Sequence, residues 1–167
     1  MKVIFSHGKE SGPNGQKIVQ LSQIALDKEL HVQSVDYRGI ADPEARADKL
    51  VEVLSASSGP YLLVGSSMGA YVSLVASQNT HVAGLFLLAP AIGLPGYARH
   101  HFDLTGFNVE IIQGWQDTVV PVESVIDFAR THRATLHLVN SDHRLTTVLP
   151  NACALFGQWL QTQIVTE

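Results

Sequence analysis

The segment Y-L-L-V-G-S-S-M-G-A-Y-V-S-L, residues 61–74, joins two apolar stretches through a turn of small residues. Residues 61–64 form a short continuous apolar run, which is typical of a strand covered on both faces. Residues 70–74 begin a helical stretch, and the glycines at positions 65 and 69 allow a strand and a helix to approach closely at the turn. The segment therefore predicts a buried strand followed directly by a helix.

The same alternation of strand and helix runs along the whole chain. Further apolar runs predict strands at residues 3–5, 31–35, 82–89, 109–112 and 135–139. Apolar residues with helical spacing predict helices near residues 18–25 and 50–54, and residues 42–44 form the signal that starts the second of these helices. Two further helices are predicted at residues 121–130 and 149–164. The alternation predicts the α/β class, with one domain over residues 1–167 that forms a three-layer α/β/α sandwich around an open, mostly parallel sheet.

Composition excludes several functional classes. Hydrophobic residues make up 46% of the 167 residues, and 15 acidic against 11 basic side chains give a formal charge of −4. No basic stripe of the kind that binds nucleic acid is present, and no apolar run has the length of a membrane span or a signal peptide. The single cysteine, Cys153, has no internal disulfide partner. A cytoplasmic protein with no nucleic-acid or membrane partner is expected.

Residues 65–69, G-S-S-M-G, match the pattern G-x-S-x-G with Ser67 at its centre. In a strand-to-helix turn this pattern is a nucleophile elbow, which holds the central hydroxyl out at the end of the sheet. Glycine is needed at both flanks because side chains there would collide with the neighbouring strand and helix. The alternative interpretation is a turn with an N-capping serine, and Ser66 fits that role.

A serine hydroxyl becomes a useful nucleophile only with a base and an acid that orients the base. In parallel sheets such groups lie just after strands. His143 follows the last predicted strand and is the expected base, and Asp117 follows the strand before it and is the expected acid. A loop histidine and a turn aspartate are the alternatives for these two residues, and Asp142 and Glu123 are the other acids available to orient His143.

Acyl transfer also needs hydrogen-bond donors for a developing oxyanion. The backbone N–H of Met68, directly after the nucleophile, is one expected donor, and the backbone N–H of Lys9, in the glycine-rich loop after the first strand, is the other. His7 in the same loop is interpreted as a structural residue that holds the loop, and it is also a candidate contact for the substrate. The loop spacing matches neither nucleotide-binding glycine motif, and the adjacent pair at residues 100–101 lacks further metal ligands. No cofactor and no metal site are predicted.

The sequence resembles the α/β-hydrolase superfamily, particularly its small members without a cap domain. The resemblance rests on residues 4–8, 35–39, 65–69, 114–121 and 141–143, which occur in the order that this superfamily shows. It implies a minimal sheet of about six parallel strands in the order 2-1-3-4-5-6 and a triad of Ser67, Asp117 and His143.

Where larger relatives insert a lid, this chain has only residues 91–107. Tyr97 and Phe102 in this segment are expected to form part of an apolar rim that contacts substrate, and local packing of a long loop is the alternative.

The resemblance implies a serine hydrolase that cleaves a small carboxylic ester or thioester through an acyl-enzyme, with a small-molecule acyl substrate as its partner. Two alternatives stay open at this stage. One is a non-catalytic binding or interaction module on the same fold. The other keeps the triad for acyl transfer, dienelactone opening or carbon–carbon bond hydrolysis, because the same triad supports all of these reactions. The sequence does not indicate an oligomeric state.

Overall fold

The structure, a computed structural model, describes residues 1–164. Its strands are β1 (Lys2–Ser6), β2 (His31–Val35), β3 (Tyr61–Ser66), β4 (Val82–Leu88), β5 (Asn108–Gly114) and β6 (Thr135–Val139). Its helices are α1 (Gln16–Leu26), α2 (Pro43–Ser55), α3 (Met68–Ser77), α4 (Val122–His132) and α5 (Leu149–Ile164). A short 3₁₀ turn, Thr146–Val148, precedes α5.

The six strands form one parallel sheet in the order β2-β1-β3-β4-β5-β6. This order and the α/β class confirm the fold predicted from the sequence. Because all strands run the same way, their carboxyl ends meet at one edge of the sheet, where Ser6 of β1 pairs in register with Gly65 of β3. The loops that leave this edge are therefore neighbours in space.

Helices cover both faces of the sheet, and each face has its own apolar core. On one face, side chains of α2, α3 and α4 pack on the sheet, with Leu50 and Tyr71 among the largest fully buried groups. On the other face, α1 and α5 pack on the sheet around Phe86, Phe156 and Trp159. Helix α3 is buried along its whole length, Met68–Ser77, because it lies over the middle of the sheet and under the neighbouring segments.

Helix α2 begins as its sequence predicts and buries one unexpected charge. The Asp42 carboxylate accepts hydrogen bonds from the amides of Glu44 and Ala45, and Pro43 occupies the first helical position. One turn further along, Arg46 turns inward and is only 3% exposed. The helix therefore carries a cation toward the carboxyl edge of the sheet.

Residues 91–107, which connect β4 to β5, contain no helix or strand. They are held against α3 and α2 by side-chain contacts. Tyr97 packs edge-on against Tyr71 with ring centres 4.7 Å apart, and the hydroxyl of Tyr71 accepts a hydrogen bond from the Arg99 amide at 2.9 Å. The Arg99 guanidinium lies 3.6 Å from the Glu44 carboxylate. The connection is thus a fixed rim at the carboxyl edge of the sheet.

None of the helices within residues 1–164 combines the length and the apolar character needed to cross a bilayer.

Candidate active site

Ser67 stands in a strained turn between β3 and α3. Its backbone has φ of 55° and ψ of −117°, which non-glycine residues rarely adopt. Neighbouring backbone groups hold this conformation: the Ser67 amide donates to the Leu88 carbonyl at 2.9 Å, and its carbonyl accepts from the Ala91 amide at 3.2 Å. The serine hydroxyl therefore leaves the sheet at a fixed angle.

Two glycines make this turn sterically possible. A Cβ atom on Gly65 would lie 2.4 Å from the Cα of Ala70, and a Cβ atom on Gly69 would lie 2.0 Å from the carbonyl oxygen of Ser6. Both distances are far inside van der Waals contact. The start of α3 consequently lies directly against the ends of β3 and β1.

The side chains of Ser67, His143 and Asp117 form one continuous hydrogen-bonded chain. The Nε2 atom of His143 lies 2.9 Å from the Ser67 Oγ, and its Nδ1 atom lies 2.8 Å from the Asp117 Oδ2. A carboxylate only accepts, so the Nδ1–H donates to Asp117 and the Nε2 lone pair accepts the serine proton. The structure thus brings together the three residues that the sequence places after three different strands.

Asp117 is held as an ionised acceptor. Its side chain has no exposed surface, and its Oδ1 accepts hydrogen bonds from the amides of Val119 and Val120, both at 2.8 Å. Burial opposes ionisation, but the hydrogen bonds from Val120, His143, Gln113 and Val119 outweigh it and leave the pKa of Asp117 below its usual value. The carboxylate is therefore available to orient the imidazole throughout the neutral range.

Gln113, at the end of β5, supports the acid and was not identified from the sequence. The side chain is fully buried, and its Nε2 donates to the Asp117 Oδ2 at 2.9 Å. Its Oε1 is buried without a hydrogen-bond partner in the described part of the chain. A polar residue that ends an otherwise apolar strand was the available signal in the sequence.

His7 lies in the wall of the site with both ring nitrogens occupied. The ring is 1% exposed, its Nδ1–H donates to the Gly8 carbonyl at 2.8 Å, and its Nε2 accepts from the Tyr37 amide at 2.9 Å. Burial is the main cause that lowers the pKa of His7, so the ring is neutral. These contacts hold the loop after β1, and they leave His7 no nitrogen for a substrate.

The two amides predicted to stabilise an oxyanion flank Ser67. Met68 is the first residue of α3. The first amides of a helix have no backbone carbonyl one turn earlier that could accept their hydrogen bond, so the Met68 N–H has no acceptor within the helix. The Gly8–Lys9 peptide lies beside Ser67, since a Cβ on Gly8 would be 3.6 Å from the Ser67 Cβ. The Lys9 amide makes no backbone hydrogen bond within residues 1–164.

A cleft of about 660 Å³ opens over Ser67 and His143. Leu94, Tyr97 and Val119 contribute apolar surface to it.

Phe102 does not line this cleft. This ring is 9% exposed and packs between Tyr71 and Phe128, with ring centres 6.2 and 6.3 Å away, so the prediction that Phe102 contacts substrate is corrected to local packing.

No group of three or more His, Cys, Asp or Glu side chains suited to a metal ion occurs within residues 1–164. His137, inside β6, pairs instead with Glu110 of β5 at 2.8 Å.

Solved structures share this fold over nearly the whole chain. A protein from Xanthomonas campestris described as a hydrolase of the α/β superfamily is 28% identical, with 96% of this chain and 98% of that chain covered and a TM-score of 0.89. Est1E from Butyrivibrio proteoclasticus, solved with ferulic acid bound, is 16% identical, with coverage of 98% and 89% and a TM-score of 0.84.

A second Xanthomonas campestris protein is described as an α/β serine hydrolase without a lid. It is 19% identical, with 96% of this chain and 81% of that chain covered and a TM-score of 0.76. A comparison with curated protein sequences gave no significant match. The family model of UPF0227, described as an uncharacterised protein family, matches residues 2–103. The chain therefore belongs to the UPF0227 family and to the α/β-hydrolase superfamily.

Proposed function

We propose that this protein is a serine hydrolase that cleaves a small carboxylic ester or thioester through an acyl-enzyme. The observation that carries the proposal is the unbroken hydrogen-bonded chain from the Ser67 hydroxyl through His143 to the buried Asp117 carboxylate. Such a chain serves nucleophilic catalysis, because a serine hydroxyl is a weak nucleophile until a base takes its proton. The base in turn needs an acid that orients its ring and stabilises its positive charge.

In the proposed reaction His143 removes the Ser67 proton as the Oγ attacks the substrate carbonyl carbon. The carbonyl oxygen becomes an oxyanion that the amides of Met68 and Lys9 receive. His143 then protonates the leaving alcohol or thiol, and the acyl group remains on Ser67 until water, activated by the same imidazole, releases it as a carboxylic acid. Asp117 stays ionised throughout and stabilises the imidazolium.

The nucleophile is tested with a fluorophosphonate probe and intact-mass spectrometry. Wild-type protein is expected to gain the mass of one phosphonyl group, and Ser67→Ala is expected to gain none, because the activated hydroxyl is lost. Ser66→Ala is the matched control, since Ser66 is the adjacent, 8% exposed residue at the end of β3. It should label like the wild type.

Two outcomes contradict the proposal. An unlabelled wild type would favour the non-catalytic binding module, and a labelled Ser67→Ala would assign the reactivity to another residue.

The charges that line the cleft favour an anionic substrate. Lys9, Lys17 and Arg144 line it together with only one acid, Glu10, although the whole chain has a formal charge of −4. Lys17 is a half-buried residue whose ammonium donates to the Arg144 carbonyl at 2.9 Å, so the ammonium is held at the cleft wall. Burial is the main cause that lowers the pKa of Lys17, and the charge of the nearby Asp142 carboxylate opposes this shift.

We expect esters with a carboxylate in the acyl chain to be preferred over neutral ones. The mono-p-nitrophenyl ester of adipic acid should show a higher kcat/KM than its methyl ester, by about fivefold, because one ion pair near a surface is worth about 1 kcal/mol. Lys17→Met should remove most of this preference, and added salt should weaken it.

Lys28→Met is the control, because Lys28 is a cation outside the cleft that donates to Gln161. Equal rates for the two adipate esters, or a preference that survives in Lys17→Met, would contradict the assignment while leaving the hydrolase itself intact.

A further inference from the structure

Arg46 is a buried cation without a carboxylate partner. It is 3% exposed, and no acidic side chain forms an ion pair with it in residues 1–164. Buried arginines are ordinarily paired with acids, because taking a charge out of water is costly. Arg46 instead lies over the Tyr37 ring, with its guanidinium carbon 5.5 Å from the ring centre, and donates only to backbone carbonyls.

One of these carbonyls belongs to the peptide that carries the expected oxyanion donor. The Nη1 of Arg46 donates to the Gly8 carbonyl at 3.2 Å, and its Nε donates to the Ile40 carbonyl at 2.6 Å. The Gly8 carbonyl also accepts from the His7 ring at 2.8 Å and from the Ser11 hydroxyl at 3.4 Å. A single carbonyl in the loop after β1 therefore receives three side-chain donors.

These donors determine the direction of the next amide. The Gly8–Lys9 peptide is trans, since the one cis bond described is Gly59–Pro60. In a trans peptide the C=O and the following N–H point in opposite directions. Because Arg46 and His7 hold the Gly8 carbonyl on the buried side of the loop, the Lys9 N–H is directed to the other side and has no backbone acceptor there.

The charge of Arg46 also acts through the same peptide. A cation at the carbonyl oxygen draws electron density from the amide and makes its N–H a stronger donor, and low local dielectric increases the effect. In the described residues, 1–164, no acidic side chain forms an ion pair with the guanidinium, so its positive charge at the Gly8 carbonyl is not neutralised by direct contact. This explains why a buried arginine in this place is useful although it is costly to bury.

We propose that Arg46 is a positioning residue of the oxyanion hole, which fixes and polarises the Gly8–Lys9 peptide so that the Lys9 amide stabilises the tetrahedral intermediate on Ser67. The inference rests on the proposed hydrolase function. It predicts that Arg46 contributes to transition-state binding and little to substrate binding.

The test compares Arg46→Met and Arg46→Lys with the wild type. The methionine keeps an unbranched apolar stem without the guanidinium, its charge or its donors, and the lysine keeps the charge with a single donor group. Lys49→Met is the matched control, because Lys49 is a cation on the same helix that donates to a different backbone carbonyl, that of Asp36, at 2.7 Å. Each variant is first checked for cooperative thermal unfolding.

The readouts are kcat and KM for a p-nitrophenyl ester, and the inhibition constants of an alkyl trifluoromethyl ketone and of the matching methyl ketone. The trifluoromethyl ketone adds to the serine as a hemiketal whose oxyanion occupies the hole, and the methyl ketone reports ground-state binding. In Arg46→Met we expect kcat to fall about 10- to 100-fold, short of the roughly 100- to 1,000-fold cost of removing a donor outright, with KM nearly unchanged.

The inhibition constant of the trifluoromethyl ketone should rise by the same factor as kcat/KM falls, and that of the methyl ketone should not change. Arg46→Lys should recover part of both losses. A purely structural role would weaken the two ketones alike, and this result would overturn the proposal. So would wild-type values in Arg46→Met.

If Arg46→Met does not fold, the same comparison is made with Arg46→Lys, using the ratio of the inhibition constants of the two ketones. Equal increases in both constants, or no increase in either, would count against the proposal. An inactive wild type that forms no hemiketal with the trifluoromethyl ketone would instead contradict the hydrolase function itself.

Discussion

Replacing Asp117 by asparagine is expected to lower kcat by about 10⁴-fold, the size of effect seen when the orienting acid of a serine triad loses its charge. The reason lies in the four donors around the carboxylate. The amides of Val119 and Val120 both donate to Oδ1, so the oxygen of the new amide must face them. Its NH₂ group then faces His143.

A donor at this place reverses the tautomer of the imidazole. With NH₂ opposite, Nδ1 of His143 has to accept, and the ring proton moves to Nε2, which lies 2.9 Å from the Ser67 Oγ. A protonated Nε2 cannot take the serine proton. The fold should survive, because Gln113 can turn its amide and place the unpartnered Oε1 against the new NH₂ group.

The measurement is kcat with a p-nitrophenyl ester, together with thermal unfolding by circular dichroism. Asp142→Asn is the control, since the Asp142 carboxylate bonds the Arg144 amide at 3.0 Å and not the triad histidine. It should behave like the wild type. Wild-type activity in Asp117→Asn would mean that Asp142 or Glu123 orients His143 in solution.

Replacing Gly69 by alanine should destabilise the protein by at least about 3 kcal/mol, at the upper end of overpacking effects. The new Cβ would lie 2.0 Å from the Ser6 carbonyl oxygen and 2.7 Å from that of His7, and both are backbone atoms of the central sheet and its loop. Helix α3 cannot move away, because it is buried on every side. The clash is therefore relieved only by separating α3 from β1.

Gly157→Ala is the matched control in another helix. The Cβ at this position of α5 would meet only the Ile24 Cγ2, at an ordinary 3.6 Å. Alanine gains about 1 kcal/mol of helix propensity over glycine, so this variant should be neutral or more stable. Denaturant unfolding of both variants isolates the steric cost at Gly69. If the free energy of unfolding changed equally in the two variants, α3 and β1 would be able to move apart enough to accommodate a methyl group, and the prediction would be wrong.

The fold and the hydrogen-bonded set of Ser67, Asp117 and His143 were predictable because their signals are local. Ser67, Asp117 and His143 each follow an apolar run directly, and parallel pairing brings the ends of such runs to one edge. The strand limits differ from the prediction, since β3 extends to Ser66, two residues beyond the apolar run 61–64. Polar residues at a strand end add hydrogen bonds to the sheet without adding apolar character.

The supporting residues depend on contacts that no local pattern contains. Arg46 looks in the sequence like a solvated charge on a helix, because buried arginines are rare, and its partners Gly8 and Ile40 lie in other loops. Phe102 belongs to a segment without periodicity, so its direction was open until α3 and α4 were in place. The burial of Arg46 and the direction of the Phe102 ring are therefore determined by tertiary packing and not by the spacing of residues in the sequence.

Helix α3 has no side that faces water, since all its residues from Met68 to Ser77 are buried. An element enclosed in this way has no opening motion of its own that is less costly than unfolding of the whole sheet. We therefore expect the backbone at Ser67, which starts this helix, to keep its geometry until the protein unfolds as a whole.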